Sequence, residues 1–270
     1  MESLPLISSR ANPTLKLARS LHNRKDRAQT SLFLVEGILH VGEAAEAGWE
    51  IETLLYAPER LSSAFARQLV EDLTARGVRC QPVAVEAFES IAEKDNPQGV
   101  AAIVRQRVWR FEDVLARGLR LAAACVSPQD PGNVGTILRT LDAVGADALF
   151  LLDGGVDPFH PSVVRASMGA LFWKPVVQTS FDAFVQWAHA QGMRLIGTSA
   201  RGSVDYRAFH PGNVPLVLVL GSEQKGLTPA QLDACDALVR LPMRGRGTSL
   251  NLAVAAGILL YALTASFDAG

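Results

Sequence analysis

Residues Pro215–Leu263 read PLVLVLGSEQKGLTPAQLDACDALVRLPMRGRGTSLNLAVAAGILLYAL, and this stretch decides the fold class. An apolar strand, Leu216–Leu220, runs into the polar turn Gly221-Ser222-Glu223-Gln224-Lys225-Gly226. A second apolar run, Ala237–Leu241, ends in Pro242-Met243-Arg244-Gly245-Arg246-Gly247. Thr248-Ser249-Leu250-Asn251 then opens a long apolar helix, with Thr248 or Ser249 placed to cap it. Two glycine-rich loops therefore lie just past two strand ends, where open α/β sheets bind their ligands. Upstream, the short apolar runs Leu121–Val126, Ala148–Leu152, Val176–Gln178 and Arg194–Thr198 alternate with helical patterns over Val134–Val144, Ser162–Leu171 and Phe181–Gln191. Strands alternating with helices predict a parallel sheet covered on both faces. An α/β domain over 121–270 follows.

The N-terminal part has its own alternation. Asn12–Thr30 is helical and basic, and Ser31–Gly37 is a strand entering a turn. Helix Ile38–Ala47, strand Thr53–Ala57, helix Ser62–Arg76 with Gly77 just past its end, strand Val78–Val83, helix Glu86–Glu93 and strand Gly99–Arg105 complete a small α/β unit. This predicts a first domain over 1–106 and a linker with a helical turn over 107–120.

The chain of 270 residues carries a net charge of -1, with 49% hydrophobic and 20% charged residues, an ordinary globular balance. Global charge offers no attraction to nucleic acid, but Arg10, Lys16, Arg19, Arg24, Lys25 and Arg27 cluster against Asp26 alone. Such a cluster can bind phosphates or simply form a solvated helix face. The three cysteines show no CxxC spacing and the histidines no HxxxH or HExxH, so neither a disulfide framework nor a protein-bound metal is expected. The N-terminus lacks a signal-peptide core. The longest apolar run, Leu252–Leu263, is shorter than the ~20 residues of a membrane span. The expectation is a soluble, cytoplasmic protein.

Three segments could carry chemistry. In Ser127–Asn133, which leads from a strand into a helix, Asp130 or Asn133 could cap that helix. Arg139 lies six residues after Asn133, nearly two turns along and about 240° around the helix, in an apolar neighbourhood where it needs either an ion-pair partner or an anion. Gly221–Gly226 lacks the Lys-Ser/Thr of a nucleotide P-loop, and no GxGxxG follows any strand, which argues against a dehydrogenase or kinase. Glu223 there could accept from a substrate hydroxyl or be a plain turn carboxylate. In the third segment, core packing explains the apolar helix but not Ser249 and Asn251 at its mouth.

Together these segments resemble the SpoU (TrmH) family of RNA 2′-O-ribose methyltransferases. Asp130-Pro131-Gly132-Asn133-Val134-Gly135-Thr136-Ile137-Leu138-Arg139 matches the first family motif. Leu218–Glu223 with Gly226 matches the second, and Leu241-Pro242-Met243 through Ser249-Leu250-Asn251 the third. Arg165–Ala170 is similar to the family's middle segment, and Phe33–Gly37 and Asn96–Val100 to its substrate-binding domain. Thr248 stands where the family commonly has glutamate.

The resemblance implies a parallel α/β sheet whose C-terminal segment threads a trefoil knot. It also implies a ribosomal-protein-like RNA-binding domain in front, and a homodimer. By position, S-adenosylmethionine would rest on Thr198, Ser199, Ala200, Gly221, Leu241, Met243 and Leu250. Asn133, Arg139, Glu223, Ser249 and Asn251 would surround the ribose. The family's arginine is often described as the base, but arginine keeps its proton up to about pH 12. Arg139 is better suited to holding ribose or phosphate, with Glu223 orienting Asn133 or Arg139. The implied activity is ribose 2′-O-methylation of rRNA without a metal. A tRNA enzyme, or a silent RNA-binding ribosome-assembly factor, is the alternative.

Overall fold

A computed structural model describes residues 4–93, 97–210 and 212–268. Asn96 of the Asn96–Val100 segment lies outside the described residues. In chain order the elements are α1 (Pro13–Ser20), α2 (Arg24–Thr30), β1 (Leu32–Glu36), α3 (Ile38–Glu46), β2 (Ile51–Tyr56), α4 (Ala64–Ala75), β3 (Arg79–Pro82), α5 (Val85–Phe88) and β4 (Val100–Arg105). There follow α6 (Phe111–Ala116), β5 (Leu121–Val126), α7 (Pro131–Ala143), β6 (Ala148–Leu152), α8 (Pro161–Ala166), α9 (Ala170–Trp173), β7 (Val176–Thr179) and α10 (Phe181–Ala190). The chain ends with β8 (Arg194–Thr198), β9 (Val204–Asp205), β10 (Leu216–Leu220), α11 (Pro229–Asp233), β11 (Ala237–Arg240) and α12 (Leu252–Asp268).

The chain divides into two compact units. The first holds Met1–Arg107 together with Phe159–Phe172, the second Val108–Pro158 and Trp173–Gly270. The sequence reading leaves Phe159–Phe172 in the second unit. Aromatic packing accounts for the difference. Phe33 and Trp49 of the first unit meet Phe159 and Phe172 with ring centroids 4.9–6.4 Å apart, and Trp49 Nε1 donates to the Phe172 carbonyl at 2.8 Å. Buried ring edges and a satisfied indole N–H make a strong local attachment.

Among the described residues, the first unit holds a four-stranded sheet in the order β1-β4-β2-β3. β4 is antiparallel to β1 and β2, and β3 is parallel to β2. The basic stretch Asn12–Thr30 is two helices, not one. Asn12 caps the first through Thr14 N at 2.9 Å, and Pro13 opens it. The chain turns at Leu21–Asn23, which exposes the carbonyls of Leu21 and His22. Arg27 Nη1 donates to both, at 2.8 and 2.9 Å, and is only 1% exposed. Arg27 is therefore a buried structural group and not the phosphate contact its place in the basic cluster suggests. Arg10, Lys16, Arg24 and Lys25 are exposed. Arg19 is half-buried and bonded to Ser90 Oγ at 2.7 Å.

The predicted helix Ser162–Leu171 also breaks. Met168 and Gly169 have φ of 50° and 97°, and a Cβ on Gly169 would lie 2.6 Å from Glu43 Cγ. Only glycine fits that close approach.

In the second unit the described residues form a seven-stranded sheet ordered β7-β6-β5-β10-β8-β11-β9, with every recorded pairing parallel. The apolar runs are buried on both faces, as parallel strands require: β5, β6 and β10 are buried throughout. β9 and α11 have no counterpart in the sequence reading; each is too short to show a period. Among the described residues, no helix is long and apolar enough to cross a membrane, and no group of His, Cys, Asp or Glu is arranged to hold a metal ion.

Candidate active site

Strand order places the site. From β5 the chain moves outward through β6 and β7, then crosses to β8 on the far side of β10. The order reverses beside the β5–β10 pair, the position where open α/β sheets form a ligand crevice at their carboxyl ends. The loop after β5 (Ser127–Asp130) and the turn after β10 (Gly221–Gly226) thus become neighbours, although they are far apart in sequence.

Each loop is shaped by local chemistry. Asp130 caps α7, accepting from Asn133 N at 2.9 Å, and Pro131 occupies the first helical position. Of the two candidate caps, Asp130 is the one used. The turn after β10 closes through Gly226 N to the Ser222 carbonyl at 2.9 Å. It folds so tightly that a Cβ on Gly221 would collide with the backbone of Gly226 and Leu227. Thr198 Oγ1 donates to the Val219 carbonyl at 3.2 Å and Ser199 N to the Val239 carbonyl at 3.0 Å, tying the end of β8 to β10 and β11. Ala200 is exposed beyond them.

Three segments meet in one hydrogen-bonded relay. Glu223 accepts from Gln129 N at 3.0 Å, Asp130 N at 3.3 Å and Asn133 Nδ2 at 3.1 Å. Asn133 Oδ1 accepts from Asn251 Nδ2 at 2.9 Å, and Asn251 Oδ1 accepts from Ala253 N and Val254 N at 2.9 and 3.2 Å. Asn251 is thus the cap of α12, in place of the expected Thr248 or Ser249. The polarity of the relay is forced at both ends. A carboxylate only accepts and helix-terminal N–H groups only donate, so both amides between them can have one orientation alone. Asn133 is 9% exposed, so neither end of its amide could be left unpaired without cost.

Glu223 is exposed and sits at the amino end of α7. Partial burial pushes its carboxyl up, but the hydrogen bonds from Asn133 and the surrounding backbone amides outweigh that and hold it below the usual carboxylate range. A carboxylate held ionised by three donors is a positioning group and a poor proton acceptor. The sequence expectation for Glu223 does not include the amides of Gln129 and Asp130 as its partners. The sequence signal was there: an acidic side chain is stabilised at a helix amino terminus, and Asp130-Pro131 marks one. Cys125, at the end of β5, is fully buried. Burial first, and the Glu223 charge second, push its thiol up to about 12.

Arg139 and Ser249 stand apart from the relay. Both are exposed, and neither side chain makes a hydrogen bond or ion pair among the described residues. No structural ion pair holds Arg139 among the described residues, and its guanidinium is available to an anion. From Leu241 to Leu250 the backbone forms no hydrogen bond among the described residues, while Met243 and Leu250 are 38% and 40% exposed. A segment with unengaged amides and uncovered apolar side chains beside a fixed polar relay suits a ligand that is part aromatic and part polar.

Comparison with known proteins adds three findings. The profile of the SpoU rRNA Methylase family matches residues 120–261, and that of the MRM3-like substrate binding domain matches 12–102. The 23S rRNA (guanosine(2553)-2'-O)-methyltransferase RlmP of Bacillus subtilis strain 168 is 33% identical over 95% of this chain and 98% of its own, and the 23S rRNA (uridine(2479)-2'-O)-methyltransferase of Streptomyces viridochromogenes is 34% identical over 89% and 85%. The crystal structure of an AdoMet-bound rRNA methyltransferase from Sinorhizobium meliloti superposes with a TM-score of 0.87 and 37% identity, covering 96% of each chain.

Proposed function

The chain belongs to the SpoU rRNA methylase family, and from that premise we propose that it methylates a ribose 2′-hydroxyl of large-subunit rRNA, using S-adenosylmethionine. The observation that carries the reading is the Glu223–Asn133–Asn251 relay, which fixes three separate loops around one place. The residues present fit the cofactor. Unengaged backbone between Leu241 and Leu250 supplies hydrogen-bonding groups for adenosine, and Met243 and Leu250 supply apolar cover. Thr198, Ser199, Ala200 and Gly221 complete the cradle. When bound, the cofactor supplies a methyl group on a sulfonium, already a good leaving group.

The chain's own residues do the rest. Asn133 and Asn251, locked in orientation, hold the ribose so that its 2′-oxygen points along one line, and orientation of this kind supplies a large share of a methyl-transfer rate. Glu223 acts through Asn133. Arg139, exposed and without a partner among the described residues, binds the adjoining phosphate and stabilises negative charge on the 2′-oxygen, whose proton passes to solvent. Ser249 contributes a hydroxyl to the same ribose.

Assembly belongs to the reading too. β10 lies between β5 and β8, and β11 between β8 and β9; the knotted C-terminal segment rests on family membership. On α12, Val254, Ile258 and Tyr261 lie one turn apart on a single face and are 50%, 37% and 59% exposed. We read that stripe as the seat of a second copy of the chain. The exposed residues Arg10, Lys16, Arg24 and Lys25, with half-buried Arg19, give the first unit its RNA-binding face, and the protein works in the cytoplasm.

The test is a map of 2′-O-methylation across rRNA and tRNA in a strain lacking the protein, beside calorimetry with S-adenosylmethionine. Loss of one rRNA mark together with cofactor binding supports the reading. Loss of a tRNA mark moves the substrate, and no cofactor binding sinks the activity.

A further inference from the structure

The first unit contains a cavity of about 380 Å³ that the methyl-transfer reading does not use. Its wall is assembled from β1 and the start of α3, the segment around Pro97 and Gln98, and α8 with Met168. These are the segments around which the sequence shows family likeness outside the three catalytic motifs. The volume lies in the range of small-molecule sites.

The chemistry of the wall is selective. Glu36, Glu93, Gln98, Arg165, His22 and His40 supply its polar groups. Most are already committed to one another. Glu93 accepts from Arg165 Nη1 at 2.8 Å, and its own backbone N–H donates to Glu36 Oε2 at 3.0 Å. His40 faces the carbonyls of Glu36 and Arg165 at 3.1 and 3.3 Å. His22 Nε2 donates to the Ile91 carbonyl at 3.0 Å, which leaves Nδ1 buried 3.3 Å from Glu93 Oε1 without a hydrogen bond. Besides His22 Nδ1 and the Glu93 Oε1 it faces, the groups left without a hydrogen bond among the described residues include the Gln98 amide nitrogen, whose own oxygen caps Ile38 N at 3.1 Å, and Glu36 Oε1. The Gln98 donor and the Glu36 acceptor stand beside apolar walls from Leu34, Leu39, Val164 and Met168. Leu39 and Met168 present 43% and 46% of their surface.

Two carboxylates against one guanidinium exclude a phosphate from this cavity. A flat, uncharged ring with a donor and an acceptor on its edge fits it. The chain leaves His22 directly into α2, whose first residues Arg24 and Lys25 are exposed cations. An apolar slot with polar edges inside, and exposed cations at the following turn, is an arrangement by which proteins take a single unstacked base while holding its backbone outside. We propose that this cavity receives one unstacked nucleobase of the RNA substrate, so that the first unit reads sequence as well as charge. The inference rests on the reading of the protein as an RNA-binding enzyme.

The probe is a large-subunit rRNA transcript substituted with 4-thiouridine and 6-thioguanosine, irradiated with the full-length protein. Cross-links are expected on peptides bearing His22, Leu39 or Met168. Leu39→Trp fills the slot from an exposed helix position. Gln98→Glu keeps the oxygen that caps Ile38 but removes the donor. Each variant should weaken RNA binding roughly tenfold, as loss of one stacked base does, and lose those cross-links, while S-adenosylmethionine affinity and melting temperature stay at the wild-type values. Cross-links confined to other peptides, or wild-type RNA affinity in both folded variants, overturn the pocket. So does absence of RNA binding in a protein that still binds the cofactor. Cross-links in the slot of a protein that proves unable to methylate uphold the pocket and refute the activity instead.

Discussion

Asn133→Asp changes almost no volume and reverses one end of the relay. The amide that donates to Glu223 Oε1 at 3.1 Å becomes a carboxylate facing a carboxylate, while the bond from Asn251 Nδ2 can persist. Losing a hydrogen bond to a charged acceptor costs about 1.5–3 kcal/mol. Two like charges at that distance repel by about 5 kcal/mol at an effective dielectric of 20 and by about 1.3 kcal/mol in water. Glu223 is exposed, so screening places the repulsion in the lower part of that range, about 2 kcal/mol. The sum is roughly 3–5 kcal/mol at pH 8, or on the order of 10 °C in melting temperature for a domain of this size. The pH dependence is the sharper signature. In the folded variant the carboxylate pair shares a proton, so one group titrates above its unfolded value. The folded state then binds more protons than the unfolded one, and stability falls as pH rises through that interval. Wild-type Glu223 titrates below its usual range, so its contribution is present above that range and lost only as pH falls through the depressed value. Urea melts of both proteins at pH 5 and pH 8 should show the deficit shrinking to about 1–2 kcal/mol at the lower pH. An equal deficit at both values refutes the relay as a charge-bearing contact.

Arg139→Ala should abolish methylation while calorimetry shows S-adenosylmethionine bound nearly as before; a matching loss of cofactor affinity would reassign the residue. Gly221→Ala drives a Cβ into the backbone of Gly226 and Leu227 and should cost about 1–3 kcal/mol and at least tenfold in cofactor affinity, whereas Gly245→Ala, with open space around it, should melt within about 0.5 kcal/mol of wild type. Native protein treated with iodoacetamide at pH 8 should leave Cys125 unmodified, since burial pushes its thiol up to about 12, and should modify it only in denaturant; labelling at the rate of a free thiol would contradict the buried strand. Ile258→Asp should convert a dimer to a monomer in sedimentation, and an unchanged mass would remove the α12 stripe from the interface.

The strands of the second unit were legible because continuous apolar runs such as Leu216–Leu220 have few other uses, and the loops beyond them stood out by their glycines. A cap at Asp130 or Asn133, of which Asp130 is the one used, and Gly77 past α4 followed from local rules. Sheet order was not legible. Nothing in Leu121–Val126 says that its neighbour is β10 and not only β6, since pairing is settled by packing across the whole unit. The same limit hid the attachment of Phe159–Phe172, which rests on rings from Phe33 and Trp49. At the site, the residue types pointed to the right loops but not to their bonding. Asn251 reads as a ligand group and also caps a helix; Arg27 reads as a phosphate contact and instead closes a turn. A side chain's charge is visible in sequence, but the carbonyl it satisfies depends on where the backbone breaks.

The pairing of Leu121 with Leu216 has a consequence for biosynthesis. The central strand pair of the second unit cannot form until the chain through Leu220 has cleared the ribosome. At about 5–20 residues per second β5 waits several seconds or more beside an unfilled position. During that interval the emerging polypeptide shows β5 and β6 with one open apolar edge, a template for wrong pairing. Non-local contacts of this kind slow folding because closure must precede any reward. Production of active protein should therefore respond to translation speed and chaperone supply more steeply than its final stability would suggest.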